Sequence, residues 1–186
     1  ATWVLQSEDA VTFLFIALIA PALLAAPLWG WIASRIGKER GFTYASILYA
    51  LAALSMIGLL WAPGVWVYIP VALAGAAYAG MQSLPMAMLP DVISHDAASH
   101  GDGQAGTFGG MWTAGETTGM ALGATVLTIV LAISGYAESV SGVQVVQSAN
   151  AIAGIVVSFS IVPAVLIGVS LLSLARYRLR KGTIGQ

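Results

Sequence analysis

Residues 10–40 read AVTFLFIALIAPALLAAPLWGWIASRIGKER and carry the strongest structural signal in the chain. No charged residue occurs in 10–33, whereas Arg35, Lys38 and Arg40 follow directly after it. An α-helix needs about 20 consecutive apolar residues to cross the hydrocarbon core of a bilayer, and cations that follow such a run stay on the cytoplasmic side. The stretch therefore predicts a membrane-spanning helix followed by a cytoplasmic loop.

The composition of the whole chain agrees with that prediction. Hydrophobic residues make up 59% of the 186 residues and charged residues only 8%, which is typical of membrane proteins and not of water-soluble domains. The net charge of -1 leaves no basic surface for nucleic acid, and the absence of cysteine excludes disulfides, thiolate metal sites and a cysteine nucleophile. We therefore expect membrane lipids, and no nucleic acid, as partners.

Four further stretches reach the length and apolarity of a membrane span, and glycine or proline marks nearly every break between them. The five predicted spans cover residues 10–33, 42–61, 65–89, 107–134 and 149–174. The predicted fold class is an all-α membrane protein, a bundle of about five transmembrane helices.

A second cluster of cations, after the fifth span, sets the orientation of the bundle. Its members are Arg176, Arg178, Arg180 and Lys181. With both clusters inside the cell, the loops 34–41 and 90–106 and the tail 175–186 are predicted to be cytoplasmic. The N-terminus is then outside, so an odd number of spans predicts at least one further helix before Ala1. We expect a multi-pass protein of the inner or plasma membrane with a cytoplasmic C-terminus.

One carboxyl group, that of Glu116, falls deep within the fourth predicted span. A charged side chain at that depth costs about 2.5–3.5 kcal/mol without compensation, so it normally faces a water-filled cavity or a partner. We place Glu116 on an ion or solute pathway; the alternative is a protonated glutamate that bonds to a neighbouring helix. Trp112, Thr113 and Thr117 lie within one turn of it, and the amide of Gln82 in the preceding span completes the predicted pathway.

Small residues form a repeat in the same span. Gly115, Gly119 and Gly123 follow one another at four-residue spacing. This spacing puts them on one helix face, and a small-residue face allows another helix to approach closely. The repeat therefore predicts helix packing.

Residues 86–103, MAMLPDVISHDAASHGDG, form the least apolar segment between two spans. Their ionisable side chains, without any lysine or arginine, are Asp91, His95, Asp96, His100 and Asp102. A metal site built from His95, Asp96, His100 and Asp102 would have no established ligand spacing, and histidines in solvated loops are far more common. We interpret the segment as a structural loop whose acids cap helix ends and pair with cytoplasmic cations, and we expect no metal.

The loop GWIASRIGKER at residues 30–40 resembles a signature of the major facilitator superfamily, which joins the second and third helices of each six-helix half. Its matching residues are Gly30, Arg35, Gly37, Lys38 and Arg40, while Ser34 stands in place of the family's acid. The resemblance assigns these matching residues to a cytoplasmic gate and loop.

A second motif narrows the resemblance. MLPDVISHD at residues 88–96, then a glycine-rich segment and SGY at 134–136, is similar to the tenth-to-eleventh helix region of the glycoside-pentoside-hexuronide:cation symporters, the melibiose permease-like group. The similarity adds Asp91 and Asp96 to the cytoplasmic gate. It also places Glu116 at or near a lysine that this group holds between its cation and substrate sites, with the charge reversed.

The resemblance implies that the helices correspond to most of the C-terminal six-helix half of a major facilitator transporter. It implies cation-coupled symport of a sugar, a glycoside or a related solute by alternating access, with Na⁺ or H⁺ as the coupling ion, no enzyme activity and no cofactor. A small-molecule solute and an N-terminal transporter half are then the expected partners, because the family's cation-binding acids lie in that other half.

Three alternatives remain open at this point. A lysolipid-type symporter of the same family would need an apolar lateral opening, whereas a sugar site needs polar groups and a stacking ring; Trp112, Gln82 and the two threonines favour the sugar. A non-transporting membrane assembly subunit would pack Glu116 against a helix. A metal-dependent membrane enzyme would need His95 and His100 to converge with the aspartates.

Overall fold

The computed structural model describes residues 4–5, 9–100, 104–137 and 146–174, and at Ser99 and His100 it describes the backbone but not the side chain. The described chain is helical, which confirms the all-α fold class. Five helical segments are long and apolar enough to cross a membrane. They are Asp9–Ile36, Lys38–Leu60, Val65–Ala98, Ala105–Ile133 and Ala149–Leu174. The predicted tail 175–186 lies outside the described residues.

Six α-helices build these segments. They are α1, Asp9–Ile36; α2, Lys38–Ser55; α3, Tyr68–His100; α4, Ala105–Ile133; α5, Ala149–Phe159; and α6, Ile161–Leu174. A 3-10 turn, Met56–Leu60, extends α2, and a second one, Val65–Val67, leads into α3. Helices α5 and α6 form one span with a break at the buried Ser160, whose hydroxyl donates to the carbonyl of Val156 at 2.7 Å.

The structure differs from the sequence-based expectation after Pro90. Residues 90–100 are helical rather than part of a loop, so the connection to α4 is shorter than the predicted 90–106. A proline inside a helix removes the hydrogen bond to the residue four positions earlier and its ring crowds that carbonyl, which can bend a helix without ending it, and the first glycine after Pro90 is Gly101. Helix α3 therefore continues, and its 33 residues reach about 50 Å, well beyond a hydrocarbon core of about 30 Å.

The connection between α1 and α2 is also shorter than the predicted loop 34–41. Only Gly37 separates the two helices, and its φ of 99° lies in the left-handed region that glycine adopts without strain. Arg35 and Lys38 therefore belong to helix termini and not to a loop.

Helices α1, α2 and α3 pack tightly against one another, and we call them the three-helix block. Trp29 of α1 is buried between α1 and α3 and donates its indole N–H to the carbonyl of Ala76 at 2.7 Å. Glycines in α3 permit this approach: a Cβ on Gly80 would lie 2.7 Å from the Trp29 ring, and a Cβ on Gly75 would collide with the carbonyl oxygen of Leu18. Close contact between backbones is how helices associate in lipid, where no hydrophobic force drives them together.

Helix α4 stands largely apart from this block. None of its residues is buried, and it contacts the rest of the chain through α5 and, more weakly, α3. Near its end Ser134 packs onto Gly154 of α5. A Cβ on Gly115, Gly119 or Gly123 would meet nothing within 4 Å, so the predicted packing of this face is absent from the described residues.

Candidate functional site

Two separate groups of predicted residues can be located in the structure. One lies where α1 ends, α2 begins and α3 passes by; we call it the gate cluster. The other lies on the exposed surface of α4. The sequence predicts which residues belong to each group but not how they are arranged among the helices.

The gate cluster is built on the sharp reversal at Gly37. The amide of Gly37 donates to the carbonyl of Ala33 at 2.9 Å, and the amide of Gly41 donates to the carbonyl of Gly37 at 3.0 Å. The end of α1 and the start of α2 are therefore hydrogen-bonded to the same residue. This brings Lys38 to the side of α3.

Lys38 joins α2 to α3 by two hydrogen bonds. Its ammonium group donates to Oδ2 of Asp91 at 2.6 Å and to the carbonyl of Ala87 at 2.8 Å. The two side chains are 36% and 30% exposed, so the ion pair is partly screened by water, and such pairs contribute about 0–1 kcal/mol. Asp91 pairs with a cation as expected, but it lies inside α3 and does not cap a helix end.

The other predicted gate residues lie elsewhere on α1, α2 and α3. The Arg35 guanidinium lies over the Trp31 ring, 5.3 Å from its centroid. Arg40 is exposed, and Asp96 is partly buried on the extension of α3. Gly30 is exposed and a Cβ there would meet nothing within 4 Å, so no described helix uses it for close approach.

The predicted pathway residues of α4 share one exposed surface. Glu116 is exposed and makes no hydrogen bond or ion pair with any residue that the structure describes. The hydroxyl of Thr113 donates to the carbonyl of Gly109 at 3.1 Å, and that of Thr117 donates to the carbonyl of Thr113 at 2.8 Å. Trp112 is half-buried.

Gln82 does not join this group by any hydrogen bond. It lies on α3 and donates its amide to the hydroxyl of Tyr78 on the same helix at 2.7 Å. The structure therefore brings four of the predicted pathway residues onto one helix surface and leaves the fifth on another helix. Because both threonine hydroxyls donate to their own backbone, they offer a solute acceptor lone pairs only.

The described part of the chain does not form the metal site that was considered. Within it, no three histidine, aspartate or glutamate side chains lie close enough together to hold a metal ion. The side chain of His100 and all of Asp102, two of the four ligands considered, lie outside the described residues.

Sequence reasoning missed two cavities that lie on the other side of the block from the gate cluster. The first, which we call the apolar cavity, has a volume of about 350 Å³ between α1, α2, α3 and α5. Among the residues that line it are Leu14, Phe15, Leu18, Tyr49, Val71 and Ala74. These side chains look like any others in an apolar span, so no sequence signal marks them.

The second cavity, which we call the outer vestibule, has a volume of about 540 Å³ where α1 and α3 begin. Asp9, Phe13 and Tyr68 contribute to its lining, together with the turn 63–65. None of the residues that line the two cavities comes from α4.

Comparisons with known proteins agree with a bundle of membrane-spanning helices, since the proteins that match are transporters. The family described as MFS/sugar transport protein matches residues 1–181. The human sodium-dependent lysophosphatidylcholine symporter 1 is 32% identical over 92 residues, which cover 50% of this chain and 17% of that protein. The symporter of the same name from Gallus gallus is 31% identical over 99 residues, 53% of this chain and 19% of that protein. The chain thus spans about a fifth of the length of these curated relatives.

Proposed function

Because the chain belongs to the MFS/sugar transport protein family, we propose that it forms part of a cation-coupled symporter that works by alternating access. In this proposal Na⁺ or H⁺ is the coupling ion, an N-terminal half supplies the remaining helices, and the protein performs no covalent chemistry. The protein resides in the inner or plasma membrane with the gate cluster on the cytoplasmic side. The family match over residues 1–181 is the observation that carries the proposal.

The solute we propose is a lysolipid. Two relatives, 32% and 31% identical, are sodium-dependent lysophosphatidylcholine symporters by name. The lining of the apolar cavity suits a hydrocarbon chain, because apolar cavities bind apolar molecules and exclude water. The polar groups that a sugar needs, at Gln82, Thr113 and Thr117, already donate to groups on their own helices.

A sugar or glycoside is the second candidate. The family takes its name in part from sugar transport, and Trp112 offers a half-buried ring one turn from Glu116 on α4. Aromatic rings beside polar groups suit molecules with one apolar and one polar face. The two candidates differ in which surface of the molecule the solute touches.

We assign Glu116 to the ion or solute pathway, and its surroundings support that role. The carboxylate lies near the middle of the 29-residue α4, and it has no partner among the described residues. At that depth in a bilayer an ionised carboxylate needs water, an ion or a partner from elsewhere in the protein. An ion or solute pathway supplies water and ions to this carboxylate. In a non-transporting assembly subunit, Glu116 would instead have to pack against another helix.

The test is uptake by proteoliposomes that contain the full-length protein with its N-terminal half. We expect sodium- or proton-dependent uptake of a lysophosphatidylcholine that a glycoside does not compete with, and a loss on the order of tenfold or more in Glu116→Gln. Thr125→Val, nine residues further along α4 and on its opposite face, is the control and should keep full uptake. Normal uptake by a folded Glu116→Gln protein would remove the pathway role, and glycoside uptake in place of lysolipid uptake would reverse the choice of solute.

A further inference from the structure

We infer that the outer vestibule and the apolar cavity form one binding site for a single-chain amphiphile with a quaternary ammonium headgroup. The inference rests on the proposed lysolipid transport and goes beyond it by naming the residues that select the headgroup. Asp9, Phe13 and Tyr68 would hold the cation, and the apolar cavity would hold the chain.

The two cavities adjoin one another. Val4 and Leu5 line both of them. Along α1 the vestibule is lined by Asp9 and Phe13, and the apolar cavity by Leu14 and Leu18, which lie deeper in the helix. From Asp9 to Leu18 the helix rises by about 13 Å, so a single molecule can occupy both cavities.

Helix α3, like α1, has a polar residue at the vestibule and apolar residues further along, at the apolar cavity. Tyr68, its first residue, lines the vestibule, whereas Val71 and Ala74 line the apolar cavity one and two turns further in. Tryptophans are enriched at the level of lipid headgroups, and Trp61 and Trp66 precede α3 at this end of the bundle. The polar opening and the apolar depth thus match the orientation that an amphiphile already has in the membrane.

The vestibule offers the chemistry that a quaternary ammonium group requires. Such cations cannot donate hydrogen bonds, and proteins recognise them with aromatic rings and a nearby negative charge. Asp9 is an exposed carboxylate, and Phe13 and Tyr68 are rings on the wall of the same cavity. Among the described residues no cation pairs with Asp9, since the described cations are Arg35, Lys38 and Arg40, at the opposite end of α1.

The turn 63–65, which forms one wall of the vestibule, is held in place by hydrogen bonds and contacts of neighbouring residues. The Trp66 indole N–H donates to the carbonyl of Ala62 at 2.6 Å, and the same ring lies against Gly58. The amide of Val67, a buried residue, donates to the carbonyl of Gly64 at 3.3 Å. These contacts fix Gly64 and Tyr68 relative to each other before any ligand arrives, which lowers the entropic cost of binding.

A single chain fits the volume of the apolar cavity better than two chains. Its volume of about 350 Å³ lies near the small end of the range for ligand pockets, about 300–1,000 Å³. A phospholipid with two chains would have to leave one of them outside. The predicted ligand is therefore a lysolipid with a choline headgroup and not the corresponding diacyl lipid.

The experiment measures binding of labelled lysophosphatidylcholine and lysophosphatidylglycerol to the purified full-length protein, with Asp9→Asn, Tyr68→Ala and Ala74→Leu as variants. The two lipids share a chain and a phosphate, and only the first carries a quaternary ammonium group. Asp9→Asn and Tyr68→Ala should weaken binding of the choline lipid by about tenfold and leave the glycerol lipid unchanged. Ala74→Leu, which reduces the volume of the apolar cavity, should weaken both lipids equally, and Thr125→Val on α4 should affect neither.

Each other outcome contradicts a definite part of the inference. If Asp9→Asn lowers the melting temperature without changing headgroup selectivity, Asp9 only complements the start of α1 and the headgroup site is wrong. If Asp9→Asn removes sodium dependence and keeps the selectivity, the carboxylate binds the coupling ion. Equal binding of phosphatidylcholine by the unaltered protein would contradict the single-chain site. If the unaltered protein neither binds nor transports any lysolipid, both this inference and the proposed solute are wrong.

Discussion

Helices α3 and α4 both carry closely spaced glycines, but within the described residues the glycines of α3 contact another helix and those of α4 do not. In α3, Gly75 and Gly80 lie against the Leu18 backbone and the Trp29 ring of α1. In α4, the more regular series Gly115, Gly119 and Gly123 faces open space. A small-residue repeat therefore shows that a helix could approach, and only the surrounding structure shows whether one does.

The same contrast separates the roles that we give to the two regions. The three-helix block fills its interior with small residues such as Ala45, Ala53 and Ala77, none of which is exposed. Helix α4 buries none of its residues and carries an unpaired carboxylate within the described structure. We regard the block as the rigid part that shapes the two cavities, and the surface of α4 as the part that faces ions or the other half of the proposed transporter.

Replacing one tryptophan in each region should give the largest difference in the free energy of unfolding. Trp29→Ala removes a ring that is 7% exposed, together with its hydrogen bond to Ala76, and should lower the free energy of unfolding by about 3–5 kcal/mol. Trp112→Ala removes a half-buried ring of α4 and should cost less than about 1 kcal/mol. Denaturant unfolding in detergent micelles measures both values. Equal losses would show that the block is no better packed than α4.

A methyl group added to a glycine should have opposite effects in the two regions. Gly75→Ala places a Cβ against the Leu18 carbonyl and should destabilise the protein by about 1–3 kcal/mol. Gly119→Ala meets no neighbour within 4 Å and removes a flexible residue from a helix, so it should stabilise α4 by up to about 1 kcal/mol. Melting temperatures of the two variants test the signs. A loss in Gly119→Ala as large as that in Gly75→Ala would mean that another part of the protein packs on this face.

The gate cluster should show the smallest effect on stability. Lys38→Ala and Asp91→Ala, alone and together, form a double-mutant cycle whose coupling energy should be about 0.5 kcal/mol, because both side chains are about one-third exposed. The coupling should weaken at high salt, since solvent-exposed charges are screened. A coupling energy above about 2 kcal/mol that does not change with salt would contradict the view of a partly hydrated contact.

The helices of this fold could be predicted because hydropathy is a local property. Each predicted span, such as 10–33 or 107–134, overlaps a helix of the structure. The end of α3 could not be predicted, because a proline such as Pro90 can either end a helix or only bend it, and the sequence does not show which of the two happens. Charge alone predicts that Asp91 pairs with a cytoplasmic cation, whereas the choice of Lys38 and its second bond, to the carbonyl of Ala87, depend on how α2 and α3 cross.

The candidate pathway could be predicted only in part. Glu116 is conspicuous because a carboxylate is costly in lipid, and Trp112, Thr113 and Thr117 follow from helical spacing. Gln82 is predicted to line the same pathway because it is the only amide in its span. It lies on α3, however, and makes no hydrogen bond with the pathway residues of α4. The two cavities could not be found from sequence, because a cavity depends on the spaces between helices and not on the residue types that line it.

The central claim is that the exposed surface of α4 around Glu116 faces a water-accessible pathway in the assembled transporter. Because this chain contains no cysteine, the variant Glu116→Cys carries one unique thiol within it, and a membrane-impermeant maleimide can report its access to water once cysteines elsewhere in the protein are removed. The account predicts that the thiol reacts with the maleimide. No reaction in a folded, membrane-inserted protein, together with normal reaction of an Arg40→Cys control from the cytoplasmic side, would place Glu116 against lipid or another helix and contradict the account.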